Sequence, residues 1–451
     1  MTHPRGAMSR RGTLAAACAL AACSADPQTD ASFEPPLRAE GDLAGLLDGG
    51  LVVGGESLDV GPLRSFYARR GFEAVWTGRQ SQANALVNAV MRAGDQGLDP
   101  DMFHAELLRR TETLSPQGRE LALSAAVLSY ADALAHGAVP AARRKDGEAL
   151  MPQPVDVAAV LDAALDSPDP AAAIEALAPA TPDYRALRQA LPRARQSARA
   201  GGAAATSLLR RIEVNLERQR WLPRPLPADR AWVNVADQRL VLYRADQPVF
   251  TTRVVVGEAF ERSQSPEFRT QIEASILNPP WVIPRDIVSA EILPKLDRDP
   301  DYLTRNNMVL RDNGEIEQAP GPEAGLGLIM FDMPNRFDVY LHDTPNRGLF
   351  GRDNRRISHG CIRVQNPVEF AALLMERPAE AIQEVIALGA TTRQALPTPV
   401  PIFVTYQTAF ADAEGGLQFR PDFYGRDADL WQRLRLRPDR LEASLAALRP
   451  D

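Results

Sequence analysis

The hydrophobic pattern of this 451-residue chain changes its period near residue 230. From about residue 55 to 200, apolar residues recur at three- and four-residue steps, and Gly or Pro ends each run, which is typical of amphipathic helices. From Ala231 onward apolar and polar residues alternate, and the segments are rich in Val, Thr and Tyr, which is typical of strands. The change predicts an α+β protein, with an N-terminal α-helical domain followed by a β-rich domain with a few helices.

Shifts in composition predict where the domains begin and end. The predicted segments are a signal peptide over 1–23, a flexible tether over 24–50, a helical domain over 51–205, a β-rich domain over 206–430 and a helical tail over 431–451. The tether is polar and contains Pro and Gly. The stretch ARAGGAAAT at 198–206 is predicted to be a linker or loop, followed by an amphipathic helix that ends at Pro223.

The N-terminus has the features of an export signal. A basic Arg10-Arg11 pair precedes ten apolar residues at 13–22, a stretch too short to span a bilayer. The stretch ends in LAAC, which resembles the lipobox of bacterial lipoproteins and implies lipidation of Cys23. Ser24 is similar to the sorting residue of outer-membrane lipoproteins. We therefore expect an exported, periplasmic protein anchored to the outer membrane. An ordinary cleaved signal and a twin-arginine route remain alternatives.

The charge balance argues against a nucleic-acid partner. The chain has 51 Lys and Arg against 58 Asp and Glu, a net charge of −7. No overall positive field would attract a polyanion. Metal is not expected either, because two histidines and one thiol near one another lack a spaced fourth ligand. We predict no cofactor.

Cysteine usage points to a reactive thiol. Cys18 and Cys23 lie within the signal, so Cys361 is the one thiol left in an oxidising compartment. Such a cysteine is a candidate nucleophile, although a buried cysteine often serves only as a small hydrophobe. Its base could be His342, at the end of the predicted strand FDVYLH, or His359. Residues two apart on a strand lie about 7 Å apart, so we favour His342 as base and His359 as support.

Residues around the cysteine fit acyl transfer. Gly360 allows a sharp turn, and the N–H groups of Gly360 and Cys361 are candidate donors to an oxyanion. Arg363 could hold a carboxylate in a bidentate grip, or could form only a surface ion pair. We expect a peptide-like acyl substrate bearing a carboxylate, and a thiolate of lowered pKa at Cys361.

These motifs resemble a known family. HDTP at 342–345, LF at 349–350 and SHGCIRV at 358–364 are similar to the signature of the L,D-transpeptidase (YkuD-type) catalytic domain. Blocks between residues 208 and 428, such as LNPPWVIP and PGPEAGLGLIMFDMPN, resemble its large, scaffold-bearing branch. LRSFYARRGFEAVW and GLDPDMFH resemble the helical scaffold of that branch. The resemblance makes 51–205 a scaffold domain and 206–430 a catalytic domain.

The resemblance implies an exported enzyme that remodels peptidoglycan. Its partners would be stem peptides: a donor tetrapeptide, which acylates Cys361 and releases D-alanine, and an amine acceptor, which forms a 3→3 cross-link or an exchange product. The resemblance also implies that His342 is the base and that the backbone carbonyl of Asp343 orients it. By the same resemblance, Ser358, His359 and Gly360 shape the nucleophile loop, Arg363 contacts substrate, and Tyr340 and Trp281 line the cleft. The two aromatic residues could equally belong to the core.

Two departures from the branch and two alternative functions remain. The peptidoglycan-binding module usual between scaffold and catalytic parts is replaced by ARQSARAGGAAAT, and the segment before PGPEAG is short, which predicts a small lid.

A carboxypeptidase or amide hydrolase would use the same thioester, because acceptor choice depends on how water is excluded. A catalytically silent wall-binding lipoprotein is the other alternative.

Overall fold

The structure is a computed structural model that describes residues 43–436. Helices dominate its first part. They are α1 (Leu43–Leu46), α2 (Val60–Ala68), α3 (Gln80–Met91), α4 (Ala105–Arg109), α5 (Pro116–His136), α6 (Val157–Ala164), α7 (Pro170–Glu175), α8 (Pro182–Arg199) and α9 (Ala203–Arg220). A hairpin of β1 (Leu51–Val53) and β2 (Glu56–Leu58) joins α1 to α2. Together with the β-rich second part, this arrangement confirms the predicted fold class.

Helix α5 forms the centre of the helical part. Its sequence LALSAAVLSYADALA is mostly apolar, and 15 of the helix's 21 residues are buried. The helix begins where Ser115 Oγ accepts from the N–H of Gly118, and it ends at Gly137, whose φ is +94°. Helices α2, α3, α4 and α6 pack against it. The core of this part is therefore built around α5.

Two predicted boundaries need correction. Leu43 and Leu47, assigned to the flexible tether at 24–50, are buried in the helical core. Burial of these apolar side chains lowers the free energy, whereas in a solvated tether they would stay exposed to water. The linker predicted at 198–206 is only the turn Ala200–Gly202, since α8 and α9 pack against each other as a hairpin. The signal over 1–23 and most of the 431–451 tail lie outside the described residues.

The β-rich part consists of strands and six further helices. The strands are β3 (Arg230–Asn234), β4 (Arg239–Arg244), β5 (Gln247–Gly257), β6 (Phe268–Leu277), β7 (Trp281–Val282), β8 (Met308–Leu310), β9 (Ile316–Gln318), β10 (Ile329–Asp332), β11 (Leu341–His342), β12 (Arg356–Ser358), β13 (Ile362–Val364), β14 (Thr392–Thr405), β15 (Ala409–Ala411) and β16 (Leu417–Phe419). The helices are α10 (Arg285–Ile287), α11 (Leu293–Leu296), α12 (Tyr302–Arg305), α13 (Pro367–Met375), α14 (Ala379–Ala387) and α15 (Arg426–Leu434).

Nine of these strands form one sheet. Its order is β12-β5-β13-β11-β10-β6-β14-β3-β4, and a further pairing of β4 with β5 closes the sheet on itself. The alternating apolar residues of the strands fill the interior, and Phe370 and Leu374 of α13 pack against them. Most neighbours are antiparallel, whereas three pairs run parallel: β12 with β5, β14 with β3, and β11 with β13. The pair of β11 with β13 positions the site described below.

An insert at 281–325 forms a small unit beside the sheet. Strands β7, β9 and β8 make a three-stranded antiparallel sheet, and α10, a π-helical turn at Val288–Ile292, α11 and α12 complete it. The insert has its own apolar cluster, centred on Ile283, Ile292, Met308 and Ile316. The short lid predicted from the sequence is therefore a folded unit with a core. Within residues 43–436, no helix combines the length and apolar character that a bilayer crossing requires.

Candidate active site

Two short strands bring the predicted catalytic residues onto one face of the sheet. In the parallel pairing of β11 with β13, His342 lies opposite Arg363. The N–H of Ile362 donates to the carbonyl of Tyr340 at 2.9 Å. Tyr340 and Cys361, the residues just before the two strands, therefore also lie next to each other. Paired residues point to the same side, and side chains alternate along a strand. Tyr340, His342, Cys361 and Arg363 therefore share one face.

A hydrogen-bond network holds the loop before Cys361. Ser358 Oγ donates to the carbonyl of Cys361 at 2.6 Å and accepts from the N–H of Gly360 at 3.3 Å. Ser265 Oγ donates to the carbonyl of Gly360 at 2.7 Å. Gly360 has a φ of +117°, which L residues rarely adopt. The loop therefore depends on the hydroxyl of Ser358 and on a glycine at 360. Sequence reasoning missed Ser265, for which the sequence carries no motif.

The two predicted oxyanion donors differ in availability. The N–H of Gly360 already donates to Ser358. The N–H of Cys361 makes no hydrogen bond to any residue within 43–436. An oxyanion that forms next to the sulfur would therefore find the amide of Cys361 free to donate.

Cys361 is a thiol at neutral pH. Burial raises the pKa of the thiol, and the Asp338 carboxylate adds to this effect. The N–H of Tyr340 and the guanidinium of Arg363 oppose the rise without cancelling it. The Sγ lies 3.8 Å from the carbonyl of Asp338, as suits a weak S–H donor. The expectation of a lowered thiol pKa is therefore wrong for the free protein, because desolvation outweighs the nearby cation.

His342 is a neutral imidazole. Its side chain is buried, and this burial, together with the charge of Arg363, lowers the pKa of the ring to about 3. The backbone carbonyls of Asp343 and Leu326 act in the opposite direction. Nδ1 is buried and forms no hydrogen bond of good geometry with the described residues. The neutral ring has a free lone pair for the thiol proton, but a pKa of about 3 makes it a weak base in the free protein.

Asp343 holds the chain that passes over His342. Its carboxylate accepts from the N–H of Leu328 at 3.0 Å and from Arg347 at 2.7 Å. The first bond holds Leu328, two residues after the Leu326 whose carbonyl influences the ring. Asp343 thus acts through its side chain as well as through the backbone carbonyl implied by the family resemblance. Sequence reasoning missed Leu326 and Arg347, although the PGPEAGLG block contains the former.

Arg363 presents an unpaired guanidinium on the same face. Within residues 43–436 it forms no ion pair or hydrogen bond, and its Nε is buried without a partner. Burial lowers the pKa of the group, and Cys361 and Glu291 oppose this effect. Arginine remains charged in proteins. A half-buried, unpaired cation beside the nucleophile suits an anionic group of a substrate better than a surface ion pair.

The second histidine faces the insert. His359 Nε2 lies 2.9 Å from Glu291 Oε1, in the π-helical turn of the insert, and both side chains are partly exposed. This contact joins the nucleophile loop to the insert. Sequence reasoning did not identify Glu291, because its partner is 68 positions away in the chain.

The two predicted cleft aromatics have different surroundings. Tyr340 is half-buried, and burial together with the charges of Asp338 and Cys361 raises the pKa of its hydroxyl. Trp281 packs with the apolar cluster of the insert. Its ring also lies so close to Gly325 that a Cβ there would come within 2.7 Å. Trp281 therefore shapes the insert. Cys23, the predicted lipidation site, lies outside the described residues.

Among the described residues, no three His, Cys, Asp or Glu side chains are grouped closely enough to hold a metal ion.

Comparison with known proteins identifies both parts of the chain. Residues 61–191 match the family described as Scaffold domain, and residues 228–402 match the YkuD family, described as L,D-transpeptidase catalytic domain. A protein of Haemophilus influenzae named "Putative L,D-transpeptidase" is 30% identical over 248 residues, which are 50% of this chain and 50% of that protein. The chain thus spans about half the length of this curated relative.

Two solved structures are similar at low identity. The L,D-transpeptidase from Mycobacterium smegmatis is 13% identical, with a TM-score of 0.22, and the match covers 40% of this chain and 58% of that one. The catalytic domain from E. faecium L,D-transpeptidase, acylated by ertapenem, is 14% identical, with a TM-score of 0.22, and the match covers 40% and 98%. The assignment rests on the two domain matches: the chain carries a Scaffold domain followed by a YkuD-family L,D-transpeptidase catalytic domain.

Proposed function

We propose that this protein is a peptidoglycan L,D-transpeptidase that uses Cys361 as its nucleophile. The observation that carries the proposal is the shared face of Cys361, His342 and Arg363, which follows from the register of β11 and β13. A nucleophile, a neutral base and an unpaired cation on one face are what acyl transfer from a carboxylate-bearing peptide needs.

The proton moves during the attack. Because the free protein holds a neutral thiol and a neutral imidazole, the S–H proton passes to His342 as the S–C bond forms at the carbonyl of the third stem residue. The imidazolium then gives this proton to the nitrogen of the departing D-alanine, which leaves a thioester on Cys361. An amine of a second stem attacks the thioester and forms the 3→3 cross-link.

A substrate carboxylate would assist this transfer. The charge of Arg363 contributes to the low pKa of His342 and so disfavours the imidazolium. A carboxylate bound to Arg363 neutralises that charge and makes the ring a stronger base. The D-alanine that leaves carries such a group. Binding of the donor peptide would thereby make His342 a stronger base for the reaction of that same peptide.

The chain is also proposed to be an exported lipoprotein, acylated at Cys23 and held near the cell wall. The apolar stretch at 13–22 and the LAAC motif support this proposal. Metabolic labelling with a fatty-acid analogue tests it. The parent should incorporate label, and a Cys23→Ala variant should incorporate none.

Intact-mass analysis of the purified protein tests the enzymatic proposal. With a carbapenem and with a disaccharide-tetrapeptide, the parent should gain one covalent adduct, and Cys361→Ala should gain none. Chromatography of the products then distinguishes a cross-linked dimer from a tripeptide, the product of a carboxypeptidase. A parent that forms no adduct with either reagent would contradict the proposal and favour the silent wall-binding protein.

A further inference from the structure

Ser265 joins the end of β5 to the nucleophile loop. Its hydroxyl accepts from the N–H of Gly257 at 3.0 Å and lies 2.7 Å from the carbonyl oxygen of Gly360. A hydroxyl carries a single proton. Because the N–H of Gly257 supplies the proton of the first bond, the Ser265 hydroxyl donates its own proton to the Gly360 carbonyl. The side chain is fully buried, so both bonds are shielded from solvent.

The segment that carries Ser265 is fixed on both sides. Its N–H donates to the hydroxyl of Tyr424 at 3.2 Å, and its carbonyl accepts from Arg426 at 3.0 Å. Tyr424 in turn donates to the carbonyl of Gly257 at 2.7 Å. Gly257 approaches the segment so closely that a Cβ on it would lie 2.7 Å from the backbone nitrogen of Ser265. The hydroxyl of Ser265 is therefore held in place by its surroundings.

The bond from Ser265 sets the direction of the neighbouring amide. Gly360 and Cys361 are joined by a trans peptide unit, in which the carbonyl and the following N–H lie in one plane and point in opposite directions. With the Gly360 carbonyl held toward Ser265, the N–H of Cys361 points away from it. Of the four backbone polar groups of Gly360 and Cys361, this N–H is the one without a partner within residues 43–436.

We propose that Ser265 is a positioning residue for the oxyanion donor. It acts through the peptide unit between Gly360 and Cys361 and touches no reacting atom. This inference rests on the proposed function. When the sulfur attacks, an S–C bond forms and the π electrons of the carbonyl move to its oxygen, which then accepts from the N–H of Cys361. The oxyanion collapses, the C–N bond breaks, and the leaving nitrogen takes the proton from His342.

Two reactions of the same sulfur differ in their need for this donor. Acylation by a carbapenem passes through an oxyanion, whereas alkylation by iodoacetamide displaces iodide and forms no oxyanion. A misdirected amide should therefore slow acylation alone. A disturbed loop should change both rates, because both reactions need the same sulfur in the same place.

The test compares two buried serines. Ser265→Ala removes the hydroxyl that holds the loop carbonyl. Ser275→Ala is the matched control, because the Ser275 hydroxyl is buried in β6 and has no hydrogen-bond partner within residues 43–436. Ser275 lies opposite Phe331, one position from the residue that pairs with His342, and so occupies the other face of the sheet. Intact mass gives both rates, and thermal unfolding identifies a temperature at which each variant is folded.

We expect carbapenem acylation to fall about tenfold to a hundredfold in Ser265→Ala, while alkylation by iodoacetamide stays within about twofold of the parent. Ser275→Ala should keep both rates within about twofold. Unchanged acylation of Ser265→Ala, or an equal fall in both of its rates, would overturn the role of Ser265. A parent that is alkylated but not acylated would instead overturn the proposed function, and this inference with it.

A second measurement needs only the parent and Cys361→Ala, so it applies even where Ser265→Ala does not fold. In protein whose cysteines carry a ¹⁵N label, the amide signal of Cys361 is assigned by its loss in Cys361→Ala. Carbapenem acylation should shift the proton of this amide downfield, because the amide then donates to the oxygen of the acyl group. An upfield shift, or no shift, would mean that this amide is not the donor and would overturn the inference.

Discussion

His342 and Arg363 lie directly opposite each other in a parallel strand pair, so a buried imidazole and an unpaired guanidinium stand side by side next to Cys361. The guanidinium helps to keep the imidazole neutral, and burial keeps the thiol protonated. The resting site therefore holds an uncharged thiol and an uncharged imidazole beside a cation, and within the described residues Sγ contacts the carbonyl of Asp338 while His342 Nδ1 has no partner. The proton of Cys361 therefore has to move to His342 as the sulfur attacks a substrate. This requirement predicts how substitutions and pH should change the reaction rates.

The two histidines should differ in their effect on acylation. Because His342 shares the face of Cys361 whereas His359 pairs with Glu291, we expect His342→Gln to slow carbapenem acylation by about 10²–10⁴-fold. His359→Gln should slow it by less than about tenfold, since a partly exposed pair contributes little. Stopped-flow or mass-resolved acylation rates measure both. Equal losses would mean that His359 takes part in proton transfer.

Alkylation of Cys361 should depend steeply on pH. Only the thiolate reacts, and burial raises the pKa of the thiol. The iodoacetamide rate should therefore rise about tenfold per pH unit from pH 6 to 8. A rate that is already constant over this range would reveal a thiolate–imidazolium pair in the free protein. The Cys361→Ala variant supplies the background rate.

Arg363→Gln should separate charged from neutral reagents. If Arg363 holds a carboxylate, acylation by a carbapenem, which carries one, should fall at least about tenfold. Alkylation by neutral iodoacetamide should fall only about two- to threefold, because the loss of the cation raises the pKa of the thiol only modestly. A parallel loss with both reagents would indicate that the substitution disturbs the loop itself.

Gly360→Ala should damage the site through backbone strain. At a φ of +117°, the added Cβ is expected to cost about 1–3 kcal/mol in the free energy of unfolding and to slow acylation by moving the loop. Gly351→Ala is the control, because a Cβ there meets nothing within 4 Å and its φ is not positive. Thermal unfolding and acylation rates measure the two effects. Identical behaviour of both variants would argue against a strained loop.

His342 should also make the fold acid-sensitive. Its pKa is about 3 in the folded protein, whereas an unfolded histidine titrates near about 6.5. Between these values the unfolded chain binds the extra proton, so stability falls as the pH falls. The loss from this ring between pH 6.5 and 4.5 should be about 2 kcal/mol. Chemical denaturation at both pH values should show a smaller loss for His342→Gln. An equal loss in parent and variant would assign acid sensitivity to other groups.

The hydrophobic period of the sequence was sufficient to predict the fold class, because helix and strand differ in how often a residue returns to the buried face. The motif SHGCIRV and the upstream HDTP were sufficient to predict Cys361 and His342 as candidates. Local signals could not show that Leu43 and Leu47 join the core, since burial of these residues depends on distant helices.

The protonation state of the site was decided by tertiary structure alone. The pKa of a thiol or an imidazole depends on how much water the surrounding chain removes, and residues far away in sequence do this at Cys361 and His342. The partner of His359 and the network through Ser265 are likewise contacts across long sequence separations. Sequence patterns determine which side chains are present and which face they occupy, whereas packing determines their charge and their neighbours.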